Sequence, residues 1–202
     1  VDPSEAAVHP PEGACDVALI RAARYGDREA FHRLVDRHRE ALFRLVVVRI
    51  RSRMDAEDIV QEVFFKAWTG LRGLKTETAF RSWLYQIALN KVRDHYRRLK
   101  VRAIFGSLEE IPEHDLPEAA QTPAGGDARV SRKRFWNDFY RMLDGLAKME
   151  REVFLLRFFD ELSINEISRT LGRGESTVKT HLYRALRKVR DRAERFDLEM
   201  EV

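Results

Sequence analysis

Apolar residues along this chain recur at intervals of three and four, and hardly ever in strict alternation. From Arg28 onward, Phe31, Leu34, Val35, His38, Leu42, Leu45 and Val46 form one stripe, which predicts a long amphipathic helix reaching about Ile50. A shorter helix is expected before it, capped by Asp16 or a neighbour and ending near Tyr25. Gly26-Asp27 supplies the break, and Asp27 the next N-cap. Two interleaved repeats, Ile59/Val63/Ala67 and Val60/Phe64/Trp68, predict a third helix starting near Asp55. Gly70 and Gly73 mark a loop, after which Phe80, Leu84, Ile87, Ala88 and Val92 form another stripe. Helical pattern resumes over 131–196. The fold class expected is all-α.

The pattern fails between Gly106 and Val130. That stretch holds Pro112, Pro117, Pro123 and Gly125-Gly126, with Glu109, Glu110, Glu113, Asp115 and Glu118 and no Lys or Arg before Arg129. Prolines break helices, and so few apolar groups cannot offset the entropy of ordering. A flexible acidic linker over 104–130 is expected, joining two small helical domains at 16–103 and 131–196, with tails at 1–15 and 197–202. The acidic stretch reads either as a plain tether or as a mimic occupying a nucleic-acid channel.

Composition narrows the function. The 202 residues are 44% hydrophobic and 35% charged, with a formal net charge of +4. Cys15 is the single cysteine, so an intrachain disulfide and a cysteine-rich zinc site are both excluded. No apolar run approaches the ~20 residues that span a bilayer; Leu45 to Val48 is bracketed by Arg44 and Arg49. Residues 1–13 are acidic and proline-containing, unlike a signal peptide. A cytoplasmic protein without membrane insertion is expected. Enzymatic chemistry has no candidate: there is no Gly-rich phosphate loop, no His-x-x-x-His pair and no nucleophile with a base. No metal or cofactor is expected.

Three polar constellations remain. Asp55, Asp58 and Glu62 fall on one exposed face with Gln61 beside them; the helix dipole accounts for Asp55 and Asp58, and Glu62 is expected to pair with Lys66. As composition alone, this face reads as solvated. Gln86, Asn90, Arg93 and Arg97 lie at i, i+4, i+7 and i+11, extended by Arg98, Lys100 and Arg102. Cations near a helix C-terminus have a dipole explanation, but Asn and Arg along one strip near Trp83 and Tyr85 also suit exposed bases and phosphates.

The third constellation is a helix-turn-helix. Ser163 and Glu166 make a capping box, Ser168 is small where helices cross, and Gly172 suits a left-handed turn. A second helix follows from about Glu175, with Val178, Leu182, Ala185, Leu186 and Val189 inward and Lys179, Thr180, Tyr183, Arg184 and Arg187 outward. Outward basic and hydroxyl residues there fit the major groove; a solvated basic helix is the plainer alternative.

Asp58-Ile59-Val60-Gln61-Glu62-Val63-Phe64, then Phe80-x-x-Trp83-Leu84-Tyr85-x-Ile87-Ala88-x-Asn90-x-x-x-Asp94, resembles region two of the extracytoplasmic-function branch of the sigma-70 family. The helix-turn-helix resembles region four. The resemblance implies an alternative sigma factor that brings core RNA polymerase to promoter DNA. Asp55, Asp58, Gln61 and Glu62 would dock on the beta-prime clamp coiled coil. The loop from about Gly70 to Thr78, with Lys75, and the helix carrying Trp83, Gln86, Asn90, Arg93, Arg97 and Arg98 would read the minus-ten element. Ser176, Thr177, Lys179, Thr180, His181, Tyr183, Arg184 and Arg187 would read the minus-thirty-five element. Leu146 and Arg151 to Arg157 resemble the helix that binds the beta flap tip, and an anti-sigma partner is implied. Ala147 stands where the family usually has proline, and Arg173-Gly174 replaces a common apolar-then-cap pair. A helix-turn-helix regulator that is not a polymerase subunit is the competing reading; it leaves Asp55 to Arg98 unexplained.

Overall fold

The computed structural model describes residues 12–105 and 126–200, with side chains placed over 16–101 and 134–192. Residues 1–11 and 201–202 of the expected tails and residues 106–125 of the expected linker lie outside the described residues. The order is α1 (Glu12–Arg24), α2 (Arg28–Ile50), α3 (Arg53–Gly70), two short 3-10 turns at Leu71–Gly73 and Glu77–Ala79, and α4 (Phe80–Phe105). Then come α5 (Gly126–Asp144), α6 (Lys148–Phe154) continuing as a π-helical turn over Leu155–Phe159, α7 (Ile164–Leu171) and α8 (Glu175–Met200). No strand occurs among the described residues.

Local capping sets several boundaries. Asp27 accepts from the Ala30 N–H at 3.0 Å and starts α2. Ser52 caps α3 by accepting from the Asp55 N–H, so the helix begins at Arg53, just ahead of the start expected near Asp55. Asp16 does not cap α1 as expected. It lies inside that helix, 2.9 Å from Arg37 Nη1 and 2.8 Å from His38 Nε2, and ties α1 to α2. α5 begins at Gly126, inside the stretch expected to be linker, and α1 begins at Glu12, inside the expected tail.

Leu34, Leu42, Leu45 and Val46 of α2 pack with Val63 of α3 and Leu84 and Ala88 of α4 in one core. Leu143, Val153, Leu156, Leu162, Ile167, Val178 and Ala185 form the core of the C-terminal helices. Each fully buried Leu or Val contributes about 1.5–3 kcal/mol relative to exposure. The two groups of helices meet where α4 lies against α7. There the Thr170 hydroxyl donates to the Ser82 carbonyl at 3.3 Å, and Arg81 donates to the Asp160 carbonyl at 3.1 Å.

Candidate nucleic-acid interface

The exposed side of α3 carries Asp58 and Gln61, as the spacing predicts, while Asp55 is half-buried beside its cap. Glu62 does not pair with Lys66. Lys91 of α4 reaches it at 2.5 Å, and this hydrogen bond holds the Glu62 carboxyl below its ordinary value against a smaller opposing effect of burial. Two apolar side chains missed by the stripe reading share this face: Met54 is 74% and Phe65 73% exposed. The signal was available, because Phe64 and Phe65 are adjacent and only one can follow the buried stripe. Gln61 lines grooves on both flanks, one floored by Val35, Phe43, Val60 and Phe64 against α2, the other edged by Phe65, Thr69 and Lys91. A helix face with an apolar anchor inside a polar rim is suited to a protein partner.

On α4, Gln86, Asn90, Arg93, Arg97 and Arg98 are all exposed. Arg93 donates to the Asn90 amide oxygen and Arg97 pairs with Asp94 at 3.2 Å, so the strip is orientated before any ligand arrives. Trp83 is half-buried, 6.0 Å from the Phe80 ring, and packs under Gly70: a Cβ there would lie 3.2 Å from its Cζ2. Tyr85, expected to sit with Trp83 on the nucleic-acid side, is instead only 1% exposed, lying on the core side of the helix with Arg81 over its ring. Burial pushes its hydroxyl above the ordinary value, so it stays neutral. Lys75 projects from the loop between the 3-10 turns. Glu77 holds that loop to α1 through Arg24 at 3.2 Å and Arg21 at 3.4 Å.

The helix-turn-helix closes as its sequence predicts. Ser163 Oγ accepts from the Glu166 N–H while Glu166 reaches back to the Ser163 N–H, and Gly172 takes φ 62°. The Arg173-Gly174 departure is accommodated by two contacts. Ser168 Oγ donates to the Arg173 carbonyl at 2.5 Å, and Asn165 donates to Glu175 at 3.0 Å. The Ala147 departure is met by Glu150, which accepts from the Ala147 N–H and starts α6 without a proline.

Along α8, Ser176, Thr177, Lys179, Thr180, Tyr183, Arg184 and Arg187 are exposed. Thr180 donates its hydroxyl to the Ser176 carbonyl at 2.9 Å, so its methyl and oxygen lone pairs remain for a ligand. His181 departs from the outward row. It is half-buried, and its Nδ1 is enclosed without a hydrogen-bond partner among the described residues. It stands with Val178, Leu182 and Ala185 on the packed side, near Glu150. Leu186, expected inward, is 37% exposed. In the segment Arg151 to Arg157, Glu152 is engaged by Arg49 at 2.7 Å, while the Phe154 ring leads on to the exposed Phe158 at 5.0 Å. No cluster able to hold a metal, and no helix long and apolar enough to cross a membrane, occurs among the described residues.

Residues 34–102 match the Sigma-70 region 2 family and residues 136–189 match Sigma-70, region 4. The chain is 32% identical over 174 residues to the RNA polymerase sigma factor NccH of Alcaligenes xylosoxydans xylosoxydans, covering 86% of this chain and 92% of that protein. It is 32% identical to the ECF RNA polymerase sigma factor SigW of Bacillus subtilis, covering 84% and 93%. The structure of CnrH in complex with the cytosolic domain of CnrY superposes with a TM-score of 0.65 at 28% identity, covering 89% of this chain and 97% of CnrH.

Proposed function

This chain belongs to the extracytoplasmic-function group of the sigma-70 family, and we propose that its exposed faces divide the task of promoter recognition between them. It is an alternative sigma factor, directing transcription initiation with RNA polymerase. Its role is that of a DNA-binding initiation factor rather than a catalyst, exercised in the cytoplasm where polymerase and promoter meet.

The face of α3 docks on the beta-prime clamp. Asp58 and Gln61 supply the polar contacts and Phe65 the apolar anchor; Glu62 acts indirectly, through Lys91, by fixing α3 against α4. The strip Gln86, Asn90, Arg93, Arg97 and Arg98, with Trp83 behind it and Lys75 in the loop above, reads and holds the opened minus-ten strand. Unstacking a base costs a few kcal/mol, and a preset Asn90–Arg93 pair lowers the further entropy of ordering the site. Outward residues of α8 read the minus-thirty-five duplex: Lys179, Tyr183, Arg184 and Arg187 reach furthest, and Ser176, Thr177 and Thr180 lie along the entering turns. His181 supports this helix from behind. Leu146 and the helix from Arg151 to Arg157 form the segment that docks on the beta flap, through the side chains that the core leaves uncovered. An anti-sigma partner regulates the chain, in keeping with CnrH, seen with the cytosolic domain of CnrY.

One observation carries this reading over a free-standing helix-turn-helix regulator: the α4 strip and the α8 helix occur in one chain, in the order of regions two and four. Permanganate footprinting tests it. With core polymerase, thymines of the minus-ten element become reactive only when the chain is added; unreactive thymines on every promoter would reject it.

A further inference from the structure

The segment between α3 and α4 alternates held residues with exposed ones. Leu71 and Leu74 are buried, at 1% and 5% exposure, while Arg72, Gly73, Lys75, Thr76 and Thr78 are exposed. The Leu74 N–H donates to the Leu71 carbonyl and the Ala79 N–H to the Thr76 carbonyl, each at 3.1 Å. The Ser82 hydroxyl closes on the Ala79 carbonyl at 3.0 Å. Lys75 and Thr76 are therefore suspended between two fixed points, the buried Leu74 side chain and the Glu77 carboxylate. α1 supplies the second of these points. Glu77 Oε1 accepts from Arg24 Nη1 at 3.2 Å and from Arg21 Nε at 3.4 Å, two arginines on consecutive turns of that helix.

α1 is itself a fixed platform. Its Ile20 and Ala23 are 1% and 4% exposed in the core, and Asp16 ties the helix to Arg37 and His38 of α2. It ends at Arg24, ahead of the residues 34–102 that match region 2. Ion pairs this open to water add little to global stability: the side chains of Arg21, Arg24 and Glu77 are 66%, 30% and 22% exposed. What they set is the placement of a short piece of chain. A dipeptide anchored at both ends enters a complex with much of its ordering entropy already lost; anchored only at Leu74, it loses that entropy on binding. One carboxylate shared by two guanidinium groups also offsets part of their charge, which suits a brace better than a phosphate contact.

Resting on the reading of the 70–78 loop as part of the minus-ten surface of a sigma factor, we propose that Arg21 and Arg24, acting through Glu77, are positioning residues for minus-ten recognition, setting where Lys75 and Thr76 meet the opened strand. α1 thereby joins the specificity apparatus without touching DNA. Its effect falls on discrimination between bases, not on affinity for polymerase or for the upstream element.

Initiation by core polymerase with the full chain tests the brace, on a promoter set carrying every single substitution through the minus-ten element. Glu77→Gln keeps the shape of the side chain and removes its charge. It flattens the base preference several-fold, within the about 5- to 150-fold that a single base contact supplies. Minus-thirty-five preference and core-polymerase affinity stay unchanged. Combining Glu77→Arg with Arg21→Glu and Arg24→Glu reverses every sign in the brace and restores the preference. A minus-ten profile unmoved by Glu77→Gln would overturn the proposal. So would an equal loss on all sequences that the triple variant deepens, which would mark Arg21 and Arg24 as phosphate ligands. Hydrogen exchange on the free chain reads the brace without polymerase: the Ala79 amide, bonded to the Thr76 carbonyl, exchanges faster in Glu77→Gln and recovers in the triple variant. Initiation on no promoter would overturn the sigma reading and this role with it, and is separable from loss of the brace alone, because exchange would still respond.

Discussion

Lys91 Nζ sits 2.5 Å from Glu62 Oε2, so the helix face assigned to polymerase is bolted to the helix assigned to the minus-ten element. Replacing Lys91 with Met returns the Glu62 carboxyl from its lowered value towards the ordinary 4.5, visible in a carbon-detected NMR titration. A lowered carboxyl contributes stability above its unfolded value, and that contribution is lost as pH falls through the folded one. Glu62 is 44% exposed, so solvent screening keeps the loss within about 1 kcal/mol.

Phe65→Ser leaves stability within about 0.5 kcal/mol, because the ring is already in water, but weakens core-polymerase binding in fluorescence anisotropy. Asp58→Ala with Gln61→Ala weakens it as well. Retained affinity in all three changes would make the α3 face merely solvated.

On the recognition helix, Arg184→Ala removes about 1–3 kcal/mol of minus-thirty-five discrimination if the guanidinium pairs with a base. His181→Ala leaves sequence preference unchanged and alters only thermal stability. Competition binding against mutated elements separates the two, and a preference change at His181 would contradict its place on the packed side.

Acid unfolding of the N-terminal domain depends on Asp16. Burial pushes its carboxyl up, but the hydrogen bonds and charges of His38 and Arg37 outweigh that and leave it below the ordinary 3.8. Its contribution is complete above that value and disappears as pH drops through the lower folded one. Asp16→Asn therefore loses about 1–3 kcal/mol at neutral pH and flattens the acid limb of the stability profile; an unchanged limb would contradict this.

What the sequence made legible was local. The capping box of Ser163 and Glu166, the left-handed Gly172 and the Asp27 cap each act within a few residues, so each could be read directly. The Gln86-to-Arg97 strip followed from periodicity alone. Long-range polar pairing was hidden. Asp16 pairs with Arg37 and His38 on the next helix, and Glu62 passes over Lys66 for Lys91. Arg49 finds carboxylates 103 and 111 residues away. Periodicity marks which side of a helix is covered, not by what. For that reason the pattern alone sets Tyr85 and His181 at interfaces although they pack inward, and does not mark Phe65 although it stands exposed.

The most direct test of the whole account is run-off transcription from a pool of genomic promoter fragments, using purified core polymerase with and without this chain. The account predicts discrete start sites that appear only with the chain, share two upstream elements, and shift in minus-ten preference when Asn90 is replaced by Ala. No chain-dependent start on any fragment, together with tight duplex binding by the chain alone, would contradict it.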